Sequence, residues 1–186
     1  LKYANDRNIT IIPQISIPSH ARAAIVSMNT RYHKFMELNN IEEAEKYLLI
    51  DPDDQSEYTS AQGFNDNIIN ICRESSFTFY EKVIDEIYSM YRDAGVKMTY
   101  YGVAADEVPY GAWQKSPLCD KYMSDKSISG DYNRLYEMAQ ERIYNKISSY
   151  GATMTGWDDI LLKLTEKDQS ETDIKEFFIN DDILLF

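Results

Sequence analysis

The segment from Met98 to Trp113 constrains the fold of this chain more than any other. Residues 98–103 are apolar and aromatic, which is typical of a buried strand. Two alanines then lead into adjacent acids, Asp106 and Glu107, and into a loop that ends in a tryptophan. In α/β barrels the catalytic groups lie at the C-terminal ends of such strands. The pattern therefore predicts an acid/base pair at a strand end, with an ordinary acidic loop tip as the alternative.

Strand-like and helix-like patterns alternate along the rest of the chain, after a helix end at residues 1–8. Three apolar runs and one candidate are predicted as strands: residues 9–17, 98–103, 154–157 and 177–180. Helices are predicted at residues 20–28, 80–91 and 132–147, and a long loop with a small helix at 41–47 is predicted for residues 31–70. This order implies a parallel α/β sheet. About four β/α units amount to half of an eight-stranded barrel, and an open parallel sheet is the alternative.

The charge of the chain limits the classes of partner that it can bind. Its formal net charge of −12 argues against nucleic-acid backbones and anionic membrane surfaces, and favours a neutral or cationic ligand. No apolar stretch reaches the roughly 20 residues that span a bilayer, so no membrane span is predicted. No glycine-rich phosphate-binding motif is present, which argues against a nucleotide site.

Cysteine and histidine are scarce in this sequence. Cys72 and Cys119 have no further cysteine or histidine at the spacing of metal ligands, so neither a disulfide scaffold nor a zinc site is predicted. His20 and His33 are too few for a usual zinc centre. We therefore expect no metal and no cofactor. His33 lies in a charged segment and is expected to be exposed and inert.

Four groups of residues at or near the predicted strand ends carry recognisable motifs: residues 12–24; residues 51–56 with 70–76; residues 105–113 with 116–119; and residues 156–160. Together, and in this order, they resemble the catalytic barrel of the family 20 β-N-acetylhexosaminidases, in particular the bacterial chitobiase branch. The resemblance implies an α/β fold that is part of a (β/α)8 TIM barrel, about strands 3 to 6 with their helices. It also implies that residues 1–186 are a partial catalytic domain of a longer protein.

The resemblance implies a role for each residue of the acid pair. Glu107 would be the general acid/base, and Asp106 would position the substrate's own 2-acetamido group, whose carbonyl oxygen attacks the anomeric carbon. His20 would support the acid/base by connecting it to an upstream aspartate, with a structural histidine as the alternative. Trp157 would form a wall of the pocket for the acetamido methyl, with a core aromatic as the alternative. Trp113 is expected to pack the loop.

Several residues depart from the family pattern. Acids of the first motif are replaced by Gln14 and Ser16, a glycine by Ser19, a histidine by Gly102 and another glycine by Ala104. Lost carboxylates and a lost histidine remove hydrogen bonds that support a site. These departures motivate an alternative function, a degenerate glycan-binding module without catalysis.

The acid pair itself is intact, so the resemblance implies a glycoside hydrolase of chitin degradation. It would remove terminal non-reducing N-acetyl-β-D-hexosamine residues from chitooligosaccharides or related glycans by substrate-assisted, retaining catalysis. A glycosidase with two enzymic carboxylates is a third possibility. The expected partner is a GlcNAc-containing oligosaccharide, and the oligomeric state is left open. The resemblance further implies an exported protein (periplasmic, outer-membrane-attached or extracellular), and the chain alone is expected to be inactive.

Overall fold

Three strands of the computed structural model, which describes residues 1–163 and 184–185, lie side by side and run parallel. They are β1 (Tyr100–Ala104), β2 (Thr153–Gly156) and β3 (Leu184–Leu185), in that spatial order. Tyr101 pairs with Met154, Gly102 pairs with Thr155, and Thr155 pairs in turn with Leu184. The order of the strands in the sheet thus follows their order in the chain, as it does around an α/β barrel.

The first predicted strand, residues 9–17, is present only as a shorter extended segment, residues 13–17. This segment runs parallel to β1: the N–H of Ile15 donates to the carbonyl of Gly102 at 3.0 Å, and the N–H of Ile17 donates to that of Val103 at 3.1 Å. Pro13 and Pro18 bound the segment, and prolines lack the N–H that a longer ladder would need. The segment nevertheless takes the place of a strand next to β1.

The helices cover the chain between these strands. They are α1 (Lys2–Asn5), α2 (Arg22–Glu37), α3 (Ile41–Glu45), α4 (Glu74–Asp93), α5 (Pro117–Asp125) and α6 (Tyr132–Ser148), and a 3₁₀ helix spans Asp158–Leu161. The predicted helices at 80–91 and 132–147 and the small helix at 41–47 are confirmed, and Gly95, with a φ of +66°, follows the end of α4.

The prediction of a long loop from residue 31 was wrong in its first part. Helix α2 continues to Glu37, nine residues beyond the predicted end at Met28. Its one buried residue is Ile25, and the second half of the helix is polar and largely exposed. An exposed helix has little apolar periodicity, which is the signal that sequence patterns use.

The hydrophobic core of the described residues lies between the strands and the longer helices. Tyr101 and Val103 of β1 and Met154 of β2 are buried against apolar residues of α4 and α6, namely Tyr80, Ile84, Leu135, Ile143 and Ile147. Burial of each Leu or Ile contributes about 1.5–3 kcal/mol. The Tyr80 hydroxyl also donates to the carbonyl of Ile15, so α4 holds the extended segment as well as β1.

The prediction that the two cysteines form no disulfide framework was wrong. Cys72, just before α4, and Cys119, in α5, are joined by a disulfide although 47 residues separate them. Both are buried. Because the two cysteines are far apart along the chain, their positions in the sequence did not indicate that the loops after neighbouring strands meet in space. By the chain-entropy model, closing a loop of this length stabilises the fold by about 4 kcal/mol.

Two further predictions concern a fourth strand and membrane-spanning helices. The candidate strand at residues 177–180 lies outside the described residues. Among residues 1–163 and 184–185, no helix combines the length and the apolar character that crossing a membrane requires.

Candidate active site

The acid pair lies directly after β1, on backbone that turns sharply away from the strand. Ala104, Ala105 and Glu107 have φ angles of 55°, 65° and 53°, which is the left-handed region that non-glycine residues rarely adopt. Each such residue costs on the order of 1–2 kcal/mol, so the surroundings must hold this backbone in place. The turn carries Asp106 and Glu107 to the C-terminal end of the sheet.

Four hydrogen bonds provide that support, and each bond involves a different group of the turn. Three carbonyls of the turn accept hydrogen bonds: that of Ala104 from the N–H of Trp157 (2.9 Å), that of Ala105 from the Tyr136 hydroxyl (2.7 Å), and that of Asp106 from the Ser19 hydroxyl (2.5 Å). In the fourth bond, the N–H of Glu107 donates to Oδ2 of Asp159 (2.9 Å). Burial raises the pKa of Tyr136 well above its usual range, so its hydroxyl stays protonated and remains a donor.

The structure also places His20 next to the acid pair. Its Nε2 lies 3.3 Å from Oδ2 of Asp106 and 3.5 Å from Oε2 of Glu107. His20 follows the extended segment at residues 13–17, and its own φ is 55°. One imidazole therefore contacts both carboxylates, which is the geometry that a supporting histidine needs. Its role in the acid/base chemistry stays a prediction.

The two carboxyl groups differ in their surroundings. The Asp106 side chain is 22% exposed and that of Glu107 is 38% exposed. Oδ1 of Asp106 is buried and has no hydrogen-bond partner among the described residues. A buried acceptor without a donor is costly, so this atom is suited to receive an N–H from a ligand. Glu107, in contrast, is more open to solvent.

One residue at the site was missed entirely by sequence reasoning. Gln62 donates from Nε2 to Oε2 of Glu107, across 45 residues of chain. It lies in a tight turn in which Ser60 and Phe64 are hydrogen-bonded to each other and Gly63 has a φ of +79°. A turn could have been predicted from Gly63, but no sequence pattern indicated that Gln62, at the tip of that turn, reaches Glu107.

The two tryptophans have different environments. Trp157 directly follows β2 and is 43% exposed, so it is not a core aromatic. Trp113 is buried, and its Nε1–H donates to the carbonyl of Ile69 at 3.0 Å, which confirms loop packing. His33 is exposed and contacts only the neighbouring ring of Tyr32 among the aromatic contacts of the described residues.

Two of the departures from the family pattern face each other. Gln14 pairs with Gly102 across the sheet, and a Cβ atom on Gly102 would lie 3.0 Å from both Cβ and Cγ of Gln14. The Gln14 side chain thus fills the space that a side chain at position 102 would need. The two substitutions match each other sterically.

His20, Asp106 and Glu107 are also the one group of potential metal ligands found in the described part of the chain, with ligand atoms within 4.8 Å of one another. The same three atoms are those that proton transfer between histidine and carboxylates would use. The arrangement can therefore perform acid/base chemistry with its own side chains.

Comparisons with known proteins agree with this geometry. The family model described as glycosyl hydrolase family 20, catalytic domain, matches residues 1–178. A beta-hexosaminidase of Vibrio vulnificus is 41% identical over 160 residues, which are 86% of this chain and 19% of that protein. The N,N'-diacetylchitobiase of Vibrio harveyi is 47% identical over 108 residues, which are 58% of this chain and 12% of that protein.

A solved structure supports the same conclusion. The Vibrio harveyi GH20 exo-β-N-acetylglucosaminidase in complex with N-acetylglucosamine matches with a TM-score of 0.67 at 31% identity, over 91% of this chain and 22% of that one. The chain thus spans about a fifth or less of the length of these relatives. Its parallel strands and helices are part of a (β/α)8 barrel, as predicted. The family model covers the acid pair, His20 and Trp157, and the chain belongs to glycosyl hydrolase family 20.

Proposed function

We propose that the protein containing this chain is an exo-acting β-N-acetylhexosaminidase that removes terminal non-reducing N-acetyl-β-D-hexosamine residues from chitooligosaccharides or related glycans. The observation that carries the proposal is the buried, unpaired Oδ1 of Asp106 beside the more exposed Glu107. A substrate with an acetamido N–H would supply the missing donor. The names of the Vibrio relatives support the same activity.

The acid pair supports a mechanism in two steps. Asp106 accepts the acetamido N–H and turns the carbonyl oxygen towards the anomeric carbon. That oxygen forms a bond to the anomeric carbon while the glycosidic C–O bond breaks, and Glu107 gives its proton to the leaving oxygen. Water then attacks the anomeric carbon of the cyclic oxazolinium intermediate, the bond from that carbon to the acetamido oxygen breaks and restores the acetamido group, and Glu107 takes a proton from the water. Two inversions give net retention, and the nucleophile belongs to the substrate.

Asp106 would also stabilise the positive charge that develops on the acetamido group during the first step. His20 would orient the acid pair through its contacts with both carboxylates. Trp157 would present its exposed indole face to the acetamido methyl at the end of β2. These roles are proposals that the positions of the side chains support.

The proposal is tested with Glu107→Gln in the full-length protein, using chromogenic β-glycosides of GlcNAc and of glucose. We expect turnover of the GlcNAc glycoside to fall by at least about two orders of magnitude, which is the usual scale for a general acid/base. Glu86→Gln, an exposed change on α4, is the matched control. Full activity of Glu107→Gln would disprove the assignment. Cleavage of the glucoside by the wild-type protein would instead indicate an enzyme with two carboxylates of its own.

The degenerate binding module remains the second candidate because Gln14, Ser16, Ser19 and Gly102 depart from the family. The steric match of Gln14 with Gly102 and the bond from Ser19 to Asp106 argue for a maintained site instead. Calorimetry with GlcNAc oligomers and chromatography of the same samples separate the two functions. A binding module would bind the oligomers and release no product after long incubation.

We also propose that the protein is exported. The support from the structure is the Cys72–Cys119 disulfide, because disulfides persist in oxidising compartments and are rare in the cytosol. Peptide mapping under non-reducing conditions after cell fractionation tests this. We expect the disulfide-linked peptide in the periplasmic, outer-membrane or extracellular fraction, and recovery of the protein with both thiols reduced in the cytosol would contradict the proposal.

A further inference from the structure

The peptide unit between Asp106 and Glu107 is held at both of its polar ends by side chains. Its carbonyl accepts a hydrogen bond from the Ser19 hydroxyl at 2.5 Å, and its N–H donates to Oδ2 of Asp159 at 2.9 Å. Ser19 is 87 residues and Asp159 is 52 residues away along the chain. Two separate loops therefore meet on one peptide.

This peptide lies where the ladder of the sheet no longer supports the backbone. The last interstrand bond of β1 on this side runs from the N–H of Trp157 to the carbonyl of Ala104. Beyond it, three of the four residues 104–107 have positive φ angles, and Asp106 is the exception. Rotation of the peptide between Asp106 and Glu107 would turn one carboxylate relative to the other. Its orientation therefore decides whether the two groups face the same substrate.

The two side chains that hold the peptide belong to residues next to other parts of the candidate site. Ser19 is fully buried and directly precedes His20, which contacts both carboxylates. Asp159 lies in the 3₁₀ helix that begins just after Trp157. The two hydrogen bonds thus connect three places that carry candidate functional residues. These are the end of the extended segment before His20, the end of β1 before the acid pair, and the end of β2 before Trp157.

We propose that Ser19 and Asp159 are positioning residues. They clamp this peptide and so fix the Glu107 and Asp106 carboxylates relative to each other. The inference rests on the proposed function. Ser19 stands where the family pattern has glycine, and glycine has no hydroxyl to donate. In this chain the departure from glycine adds a contact to the acid pair.

The first test measures kinetics of the full-length protein on a chromogenic GlcNAc β-glycoside. Ser19→Ala and Asp159→Ala are each expected to lower kcat about 10- to 100-fold, because small displacements of reacting groups have effects of that size. KM is expected to stay within about twofold, since neither side chain contacts the substrate in the proposal. Because both act on one peptide, the double variant should lose less than the product of the two single losses.

Conservative variants separate positioning from general destabilisation. Asp159→Asn keeps an oxygen that can accept from the N–H of Glu107, so it should retain most of the kcat that Asp159→Ala loses. Ser27→Ala removes a hydroxyl that donates to a backbone carbonyl on exposed α2, and Asp93→Ala removes an exposed carboxylate. Both controls should keep wild-type kcat and KM. Ser19→Gly, the residue of the family pattern, replaces Ser19→Ala should the alanine variant not fold.

A second measurement does not depend on turnover. Hydrogen exchange at the amide of Glu107 should be faster in Asp159→Ala than in the wild type, because its acceptor is gone. Wild-type kcat in both single variants, or unchanged exchange at this amide, would overturn the clamp. Absence of hydrolysis by the wild-type protein would refute the proposed function instead, and the exchange rates would still decide whether the clamp exists.

Discussion

Individual backbone groups at the end of β1 show how a strained conformation is maintained. Ala104, Ala105 and Glu107 adopt left-handed angles, at a cost of about 1–2 kcal/mol each. The four hydrogen bonds to this turn each contribute about 0.5–1.5 kcal/mol, and more where a carboxylate accepts. The cost of the left-handed angles and the stabilisation from the hydrogen bonds are therefore of similar size. The loss of one bond would thus destabilise the turn. The acid pair therefore depends on groups outside it, including the side chains of Ser19, Tyr136 and Asp159.

Gly102 offers a test at the same scale. We expect Gly102→Ala to destabilise the complete catalytic domain by about 1–3 kcal/mol, because the new methyl would press against Cβ and Cγ of Gln14. The measurement is the free energy of unfolding in denaturant. In the Gln14→Gly background the same change should cost less, since the opposing atoms are gone. Equal costs in the two backgrounds would show that the two positions are not coupled.

Helix α5 illustrates how an element is fixed by groups outside it. Ser116 caps its N-terminus by accepting from the N–H of Cys119 at 3.1 Å. Ser116 in turn donates to Oδ2 of Asp51 at 2.6 Å, and the N–H of Leu118 donates to the same oxygen at 3.1 Å. The disulfide to Cys72 adds a covalent tie at the same end. The start of α5 is therefore determined by the loop that contains Asp51.

Asp51 makes this arrangement sensitive to pH. Burial by itself raises its pKa, but the hydrogen bonds from Ser116 and from the N–H groups of Asp53 and Leu118 outweigh burial, so the pKa lies below its usual value. A lowered native pKa stabilises the fold at pH values above the unfolded pKa of about 4, and this contribution is lost as the pH falls through the native pKa.

We therefore expect Asp51→Asn to lower the free energy of unfolding of the catalytic domain by about 1–3 kcal/mol at pH 7. The difference from the wild type should shrink as the pH falls below about 4, because the wild-type carboxylate is then protonated too. Denaturant unfolding across this pH range gives the measurement. Asp53→Asn, an exposed neighbour, is the control and should have little effect. A difference that does not change with pH would contradict this account.

At the scale of the molecule, apolar residues are exposed on both sides of the sheet that the described residues form. Ile9, Ile11 and Ile15, on and before the extended segment next to β1, are exposed, and so is Leu185 of β3 at the other side of the sheet. Exposed apolar residues along unpaired strand edges favour association. The net charge of −12 opposes it through repulsion between molecules. Repulsion is screened by salt, whereas apolar association is not.

Residues 1–186 expressed alone are therefore expected to be inactive on GlcNAc glycosides and either poorly soluble or loosely packed, with association that increases as salt screens the charge. Thermal unfolding and sedimentation at low and high salt measure this, with the full-length protein as the control. A monodisperse monomer with a sharp cooperative melt and hydrolytic activity would show that these residues form a complete domain on their own.

The core of the fold and the acid pair could be predicted from local patterns. Buried strands such as β1 and β2 and amphipathic helices such as α4 and α6 carry their periodicity within a few residues, because one face of each must be apolar. Asp106 and Glu107 stand at a strand end, where parallel α/β folds collect polar groups. The second half of helix α2 was not predicted, because an exposed helix needs no apolar stripe.

What the sequence by itself determined is thus local: strands β1 and β2, most of the helices, and the residue types placed at the strand ends. Only the tertiary structure decided that Cys119 meets Cys72, that Gln62 reaches Glu107, and that Ser19 and Asp159 hold one peptide. These contacts join residues 45 to 87 positions apart. Such pairs depend on the order and register of the whole sheet, and no short pattern in the chain encodes that arrangement.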